Sequence, residues 1–273
     1  MTDLAELFPD GDYRFHLTLR RVEPRDFFAA HAASGRVLAE RARWLAAEPA
    51  RYAALTPEGE PLCAEFSSMS AEWAVAASVS EWKSPLAHTR GYEELLALGA
   101  AVEPDILFLS RDAEGRFRVR GGVLCFPTGW SLEEKIGETL DFIHGAVPGL
   151  NPALGAPIHQ FLSKLKPGVA FLRDNWGLAA TDELNLHPAR GIPPPASPVA
   201  LDRLWLRVEH QALVALPESG GIAFGIRIAL HRLDVVAATP AGRGLRRALE
   251  TMPAELADYK RLSGVRAQVI SLL

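Results

Sequence analysis

An α+β fold built on a central antiparallel sheet is the architecture this sequence predicts, and three observations carry it. Residues 204–216 and 221–230, "LWLRVEHQALVAL" and "GIAFGIRIAL", are long apolar runs joined by "PESGG", which reads as a hairpin with glycine at its turn. Residues 105–112 and 116–126 form a second such pair across "AEG", and Arg116, Arg118 and Arg120 alternate with Phe117 and Val119, the period of a strand with one wet face. These hairpins do not alternate with helices, as the strands of a doubly wound α/β fold would.

The elements follow in order. Residues 26–55 are rich in Ala, Leu, Arg and Glu and predict helix, divided or ended at Gly35 and Pro49. Residues 69–79 and 91–101 predict two more helices, the second closed by Pro104. After the first hairpin, Ser131-Leu132-Glu133-Glu134 fits a capping box and predicts a helix running to Gly137. "TLDFIHGAVPG" ends in a Pro-Gly turn, a helix is expected near 158–165, and "VAFLRDNW" reads as a strand. Residues 185–200 are proline-rich and predict an extended surface loop. From Gly242 the chain returns to helix, with Pro253 at a helix start. The implied organisation is an N-terminal helical region (1–90) packed on a core (91–235), followed by C-terminal helices (236–273).

Composition excludes several function classes. The 273 residues carry a formal net charge of −4, and the Lys and Arg residues are interspersed with acids, so no nucleic-acid footprint is expected. No apolar run approaches the length of a membrane span and no basic-then-apolar leader opens the chain; a cytoplasmic location is the expectation. The two cysteines, Cys63 and Cys125, lie far apart without CxxC spacing, which argues against a disulfide framework, a zinc knuckle or an iron–sulfur site. The sequence holds no GxSxG elbow, Walker loop or HExxH motif.

Four places carry candidate chemistry. His144, in "FIHGAVPG", is either a ligand for haem iron or another metal or a histidine hydrogen-bonded at a helix end. Arg207, Glu209 and Gln211 share one face of a strand, which is either exposed or the polar part of a pocket. Arg173 and Asn175 raise the same question beside Trp176, and an arginine fork there suits a carboxylate or a haem propionate. Finally, "GGVLCFPTGWSLEEKIG" (121–137) sets Cys125 and Trp130 at one junction, either a packed corner or a cofactor wall.

Taken together, "GGVLCFPTGWSLEEKIG", "IHGAVPG", "LRDNWGL" and "LWLRVEHQALVALPESGGIAFGIRI" resemble, in order and spacing, the haem-binding α subunits of haem-dependent oxidative N-demethylases, the dimethylamine monooxygenase-like proteins. The resemblance covers about residues 92–233. It implies a PAS-like core holding haem b, on which iron activates dioxygen, a small secondary amine loses a methyl group, and formaldehyde is released. It further implies that electrons come from NADPH through FMN and a 2Fe–2S cluster on partner reductase subunits. Carried onto this chain, it makes His144 the iron ligand and the metal-binding residue. Arg173, Asn175, Trp130 and Cys125 become cofactor-binding residues, and Glu209 and Arg207 catalytic ones. Charge complementarity further gives Glu209 the task of holding a protonated amine. Where the family reads Arg-x-Glu-Arg-Gln this chain has His210, and where it reads Ile-Arg-Thr-Tyr this chain has Ile226-Arg227-Ile228-Ala229. Those departures open three alternatives: a changed substrate, loss of the reaction, or loss of haem. A PAS-like haem or small-ligand module that senses without turnover is the alternative function, and the fold alone does not separate it from the enzyme.

Overall fold

The computed structural model describes residues 3–30, 34–76 and 91–273. In chain order the described elements are α1 (Leu4–Leu7), β1 (Arg20–Val22), α2 (Pro24–Phe28), α3 (Ser34–Ala47), α4 (Pro49–Tyr52), β2 (Ala53–Leu55), α5 (Glu60–Ala76), α6 (Tyr92–Ala101), β3 (Asp105–Arg111), β4 (Phe117–Val123), α7 (Leu140–Gly145), α8 (Leu150–Ser163), β5 (Ala170–Ala179), β6 (Trp205–Leu216), β7 (Gly221–Arg232), α9 (Leu233–Ala237), α10 (Pro240–Thr251), α11 (Ala254–Tyr259) and α12 (Arg266–Leu272). The seven strands form one sheet in the order β1-β5-β6-β7-β3-β4-β2, and every pairing is antiparallel. The fold is therefore α+β, as the sequence predicts.

The period-2 geometry of β6 divides the core. Leu206 and Val208 join the apolar cluster under the C-terminal helices, and Ala212 and Val214 the cluster under the N-terminal helices. Leu213 points the other way, into a third cluster with Leu140, Ile158 and Leu162 of α7 and α8. One sheet face thus carries the N- and C-terminal helices, and the opposite face carries α7, α8 and the site described below. The β6–β7 turn is fastened from across the sheet. Buried Glu65 of α5 accepts hydrogen bonds from the amides of Glu218 (2.9 Å) and Ser219 (2.8 Å).

The glycine pair of "GGVLC" has a steric cause. A Cβ on Gly122 would lie 2.3 Å from the Ile106 carbonyl oxygen, so only glycine lets β4 and β3 approach this closely. A register shift between Phe108 and Leu109 leaves Arg120 unmatched in the same stretch.

Four expectations need correction. No helix starts at Ser131. Residues 133–137 form turns, because the Gly137 amide turns back to the Val119 carbonyl (2.8 Å) instead of continuing a helix, and Gly137 takes φ +78°. The helix begins later, at α7, where Thr139 is the cap and its hydroxyl accepts from the Phe142 amide at 3.2 Å. Residues 185–200 are not simply a surface loop, since Asn185 and His187 are buried. Asn185 reaches the Tyr52 hydroxyl (3.0 Å), and its side-chain oxygen takes the His187 amide (2.9 Å). Residues 26–55 are divided near Gly35 and at Pro49, as expected, into α2, α3 and α4, but 53–55 form strand β2 instead of helix. Strands β1 and β2, three residues each, lacked the length to show a period. The expected helix at 69–79 begins earlier, at Glu60, and its last residues fall outside the described part of the chain, as do His31 and His88.

Candidate functional site

The site grows from the end of β5. Strand β1 pairs only with Ala170–Leu172, so residues 173–179 lack a strand neighbour on that side. Such an edge leaves backbone groups in need of partners. The segment after α11 supplies one: Lys260 Nζ donates to the Trp176 carbonyl at 2.5 Å and lies 5.1 Å from the centre of the Trp176 ring.

Beside this edge lies a cavity of about 450 Å³, within the size range of small-molecule and cofactor sites. The sheet supplies Leu107, Leu109, Val119, Asn175, Arg207, Glu209 and Phe224. The opposite wall comes from Leu140, Ile143, His144 and Val147, from Thr128–Trp130, and from the proline-rich segment Ile192–Pro195; Tyr259, Lys260 and Arg261 close one end. The stretch opening with "GGVLC" is thus a cavity wall at its Thr128–Trp130 turn. Cys125 is not part of that wall. It is fully buried in the core behind it, and burial pushes its thiol up to about 12.

His144 occupies the C-terminal end of α7, lines the cavity and is partly buried. Among the described residues its imidazole has no hydrogen-bond or ion-pair partner. Burial, followed by the positive charge of Arg173, pushes its pKa down to about 4, so the ring is neutral at pH 7 and a nitrogen lone pair is free.

Glu209 is the hub of the polar wall. Its Oε1 accepts from the Thr128 hydroxyl (2.6 Å), and its Oε2 accepts from Asn175 Nδ2 (3.2 Å) and Gln211 Nε2 (2.9 Å). The register explains this convergence: Asn175 pairs directly with Glu209 across β5 and β6, so both side chains share a face with Gln211. Arg207 Nε donates to the same Thr128 hydroxyl (2.9 Å). The rest of that guanidinium is spent on the carbonyls of Phe126 (2.8 Å) and Leu184 (2.7 Å). Arg207 therefore ties the wall turn and the 184 segment to the sheet, and its pKa falls to about 10 through burial.

Arg173 lies on the same face of β5 but is not on the cavity wall itself. Its charge acts on His144 and Lys260, and burial lowers its own pKa. Sequence reasoning missed Lys260. It sits in "ADYKRLS", which has no motif, and only the tertiary fold brings it to the β5 edge. Its Nζ also approaches Asn175 Oδ1 at 3.4 Å, so Lys260, Asn175, Glu209, Thr128 and Arg207 form one connected polar strip. Burial pushes the Lys260 ammonium down to about 8, with Glu209 opposing and Arg173 adding.

The departures noted in the sequence lie off the cavity wall. His210 faces the opposite side of the sheet and bonds Asp174 through Nδ1 at 2.5 Å. Neither Ile228 nor Ala229 lines the cavity, although Ile228 pairs directly with Glu209. Arg227 is fixed to the carbonyls of Phe27 (2.6 Å) and Ala29 (2.8 Å) and to Glu103 (2.6 Å).

Among the described residues no three His, Cys, Asp or Glu side chains cluster to hold a bare metal ion. A lone imidazole on a largely apolar cavity suits a metal that brings its own remaining ligands. None of the described helices is long and apolar enough to cross a membrane.

Fold and site together define an α+β protein whose sheet forms one wall of a cavity lined by a neutral imidazole and a hydrogen-bonded carboxylate. A family model described as haem-dependent oxidative N-demethylase, alpha subunit-like, matches residues 18–270, and the chain belongs to that family. The match takes in most of the N-terminal helices as well as the core.

Proposed function

We propose that this chain is the haem-bearing subunit of an oxidative N-demethylase acting on a small secondary amine, with a PAS-like haem domain as its core. The observation that carries the reading is His144: a neutral imidazole without a protein partner, on the wall of a cavity sized for a cofactor. The donor set fits haem b, with one nitrogen ligand, apolar walls for the macrocycle, and the cationic Arg173 close by for a propionate. Haem iron, when bound there, supplies the dioxygen chemistry.

The chain's own residues do the remaining work. His144 would hold the iron through its free nitrogen. Glu209 would receive the substrate ammonium, its carboxylate already aimed by Thr128, Asn175 and Gln211. Leu107, Leu109, Val119 and Phe224 would keep water from the reacting methyl group. Overall, a secondary amine, dioxygen, two electrons and two protons give a primary amine, formaldehyde and water. The electrons would come from NADPH through FMN and 2Fe–2S partner subunits.

The first test is the absorption spectrum of purified protein reconstituted with hemin. A Soret band is expected, and His144→Ala should lose most of it while keeping the circular dichroism of the parent. A protein that takes up no hemin would sink the reading. With hemin bound, a reductase and dimethylamine should yield formaldehyde; a ligand-dependent spectral shift without product would favour a sensor module.

A further inference from the structure

Lys260 carries a charge that no carboxylate pairs directly among the described residues. Its ammonium has three N–H donors. Two go to neutral acceptors, the Trp176 carbonyl and the Asn175 side-chain oxygen. Among the described residues no carboxylate lies within ion-pair distance of Nζ, and Glu209 is reached only through Asn175. At that distance Glu209 favours the ammonium, and the nearby charge of Arg173 offsets part of the effect. Burying a cation without a counter-ion is costly, and a protein tolerates it where a ligand brings the opposite charge.

Backbone geometry fixes this side chain in place. Helix α11 ends just before Lys260, and Arg261 adopts φ +58°, a left-handed conformation normally given to glycine. The Leu262 amide then closes on the Ala257 carbonyl at 2.8 Å, and Leu262 is fully buried. A non-glycine residue in this conformation persists only when its surroundings enforce it. The fixed turn presents Lys260 to the cavity at the uncovered edge of β5.

We propose that Lys260 is the carboxylate clamp of this cavity, its ammonium binding an acid group of the ligand at the end closed by Tyr259, Lys260 and Arg261. The clamp rests on the cavity being the ligand site of the proposed function. Two sources could bring that carboxylate: a propionate of the porphyrin, or the acid group of an N-methylated amino acid used as substrate.

Three measurements on the full-length protein separate them. Hemin and hemin dimethyl ester, which lacks the free acids, are titrated into the parent, Lys260→Met and Lys260→Arg. Acetic anhydride labelling of Lys260, read by mass spectrometry, is then compared with and without hemin, N-methylglycine and dimethylamine. If the acid is a propionate, the parent prefers hemin over its ester by roughly tenfold or more. Lys260→Met abolishes that preference, Lys260→Arg restores much of it, and hemin shields Lys260. If the acid belongs to the substrate, the two porphyrins bind alike, and N-methylglycine shields Lys260 while dimethylamine does not. A hemin preference that survives Lys260→Met, without shielding by any of these compounds, overturns the clamp. Failure of both porphyrins to bind would sink the haem reading separately. The labelling with N-methylglycine would then decide the clamp alone, with shielding supporting it and no shielding overturning it.

Discussion

Two buried polar clusters sit on this sheet, and they differ in how their valences are used. At the start of β3, Asp105 is fully buried and accepts from Arg41 Nη1 (2.5 Å) and from the amides of Cys125 (2.7 Å) and Phe126 (2.8 Å). Arg41, equally buried, gives its Nε to the Gly99 carbonyl (2.8 Å) and lies 5.5 Å from the Phe126 ring centre. Its Nη2 is the one atom of the pair without a partner among the described residues. Every other contact is internal, and the pair ties α3, α6, β3 and the end of β4 together. The Glu209 strip is also well hydrogen-bonded, yet it lines a cavity that His144's free nitrogen shares, and it ends there at Lys260's spare N–H. A cluster that closes on itself holds structure; one that stops at a cavity holds something else. The contrast separates structural from functional polar residues without reference to what the ligand is.

The largest expected effect tests the closed cluster. Asp105→Ala strands a buried guanidinium and two buried amides, so it should cost about 3–5 kcal/mol in urea unfolding, the range for breaking a buried ion pair. A loss under about 1 kcal/mol would mean that water reaches the cluster and that the contrast with the Glu209 strip is false.

A smaller effect tests the imidazole by pH. Folding holds the His144 pKa near 4, below the ordinary value of 6.5. Between those values the unfolded chain binds more protons than the folded one, so stability is complete above pH 6.5 and falls as pH drops toward 4. The loss should be at most about 3 kcal/mol, since each tenfold change in proton affinity is worth about 1.4 kcal/mol. His16, His187 and His231 are also lowered by burial, so the readout is the difference between the parent and His144→Gln. The variant should lose less stability across this window, whereas hemin bound through His144 in the parent should keep the loss and extend it below pH 4, because a ligated imidazole takes no proton. Identical acid profiles for parent and variant would mean that His144 is solvated and not held neutral in the cavity.

The same contrast explains what the sequence discloses. Long strands announce themselves, since β6 and β7 have twelve residues each over which a period can be read. Once β6 is a strand, its polar face of Arg207, Glu209 and Gln211 follows. What that face touches does not: Arg207 spends itself on backbone carbonyls, and only the fold shows it. Ser131 looks like a cap, but the competing bond from Gly137 to Val119 ends the helix before it begins. Asp105 opens a strand in a way that reads as an ordinary boundary, because its partner Arg41 is 64 residues away. Lys260 is invisible for the same reason, since its meaning comes from the uncovered edge of β5. Residues that act through sequence-distant neighbours carry no local signal.

The smallest expected effect belongs to Thr128, where the open cluster can be probed without removing a charge. Its hydroxyl accepts from Arg207 and donates to Glu209, so Thr128→Val deletes both bonds while keeping the side-chain shape. In a closed cluster, two orphaned charged partners would be expensive. Here the residue borders the cavity, and water can take the place of the hydroxyl, so the cost should be only about 1 kcal/mol. Glu209 would keep two of its three donors but lose the one on Oε1, and its aim would loosen. Amine binding to the hemin-loaded protein, followed as a Soret shift, should therefore weaken several-fold while hemin affinity stays unchanged. If Thr128→Val instead destabilised the fold as much as Asp105→Ala, the strip would be a closed structural cluster, and Glu209 would lose its standing as the residue that meets the substrate.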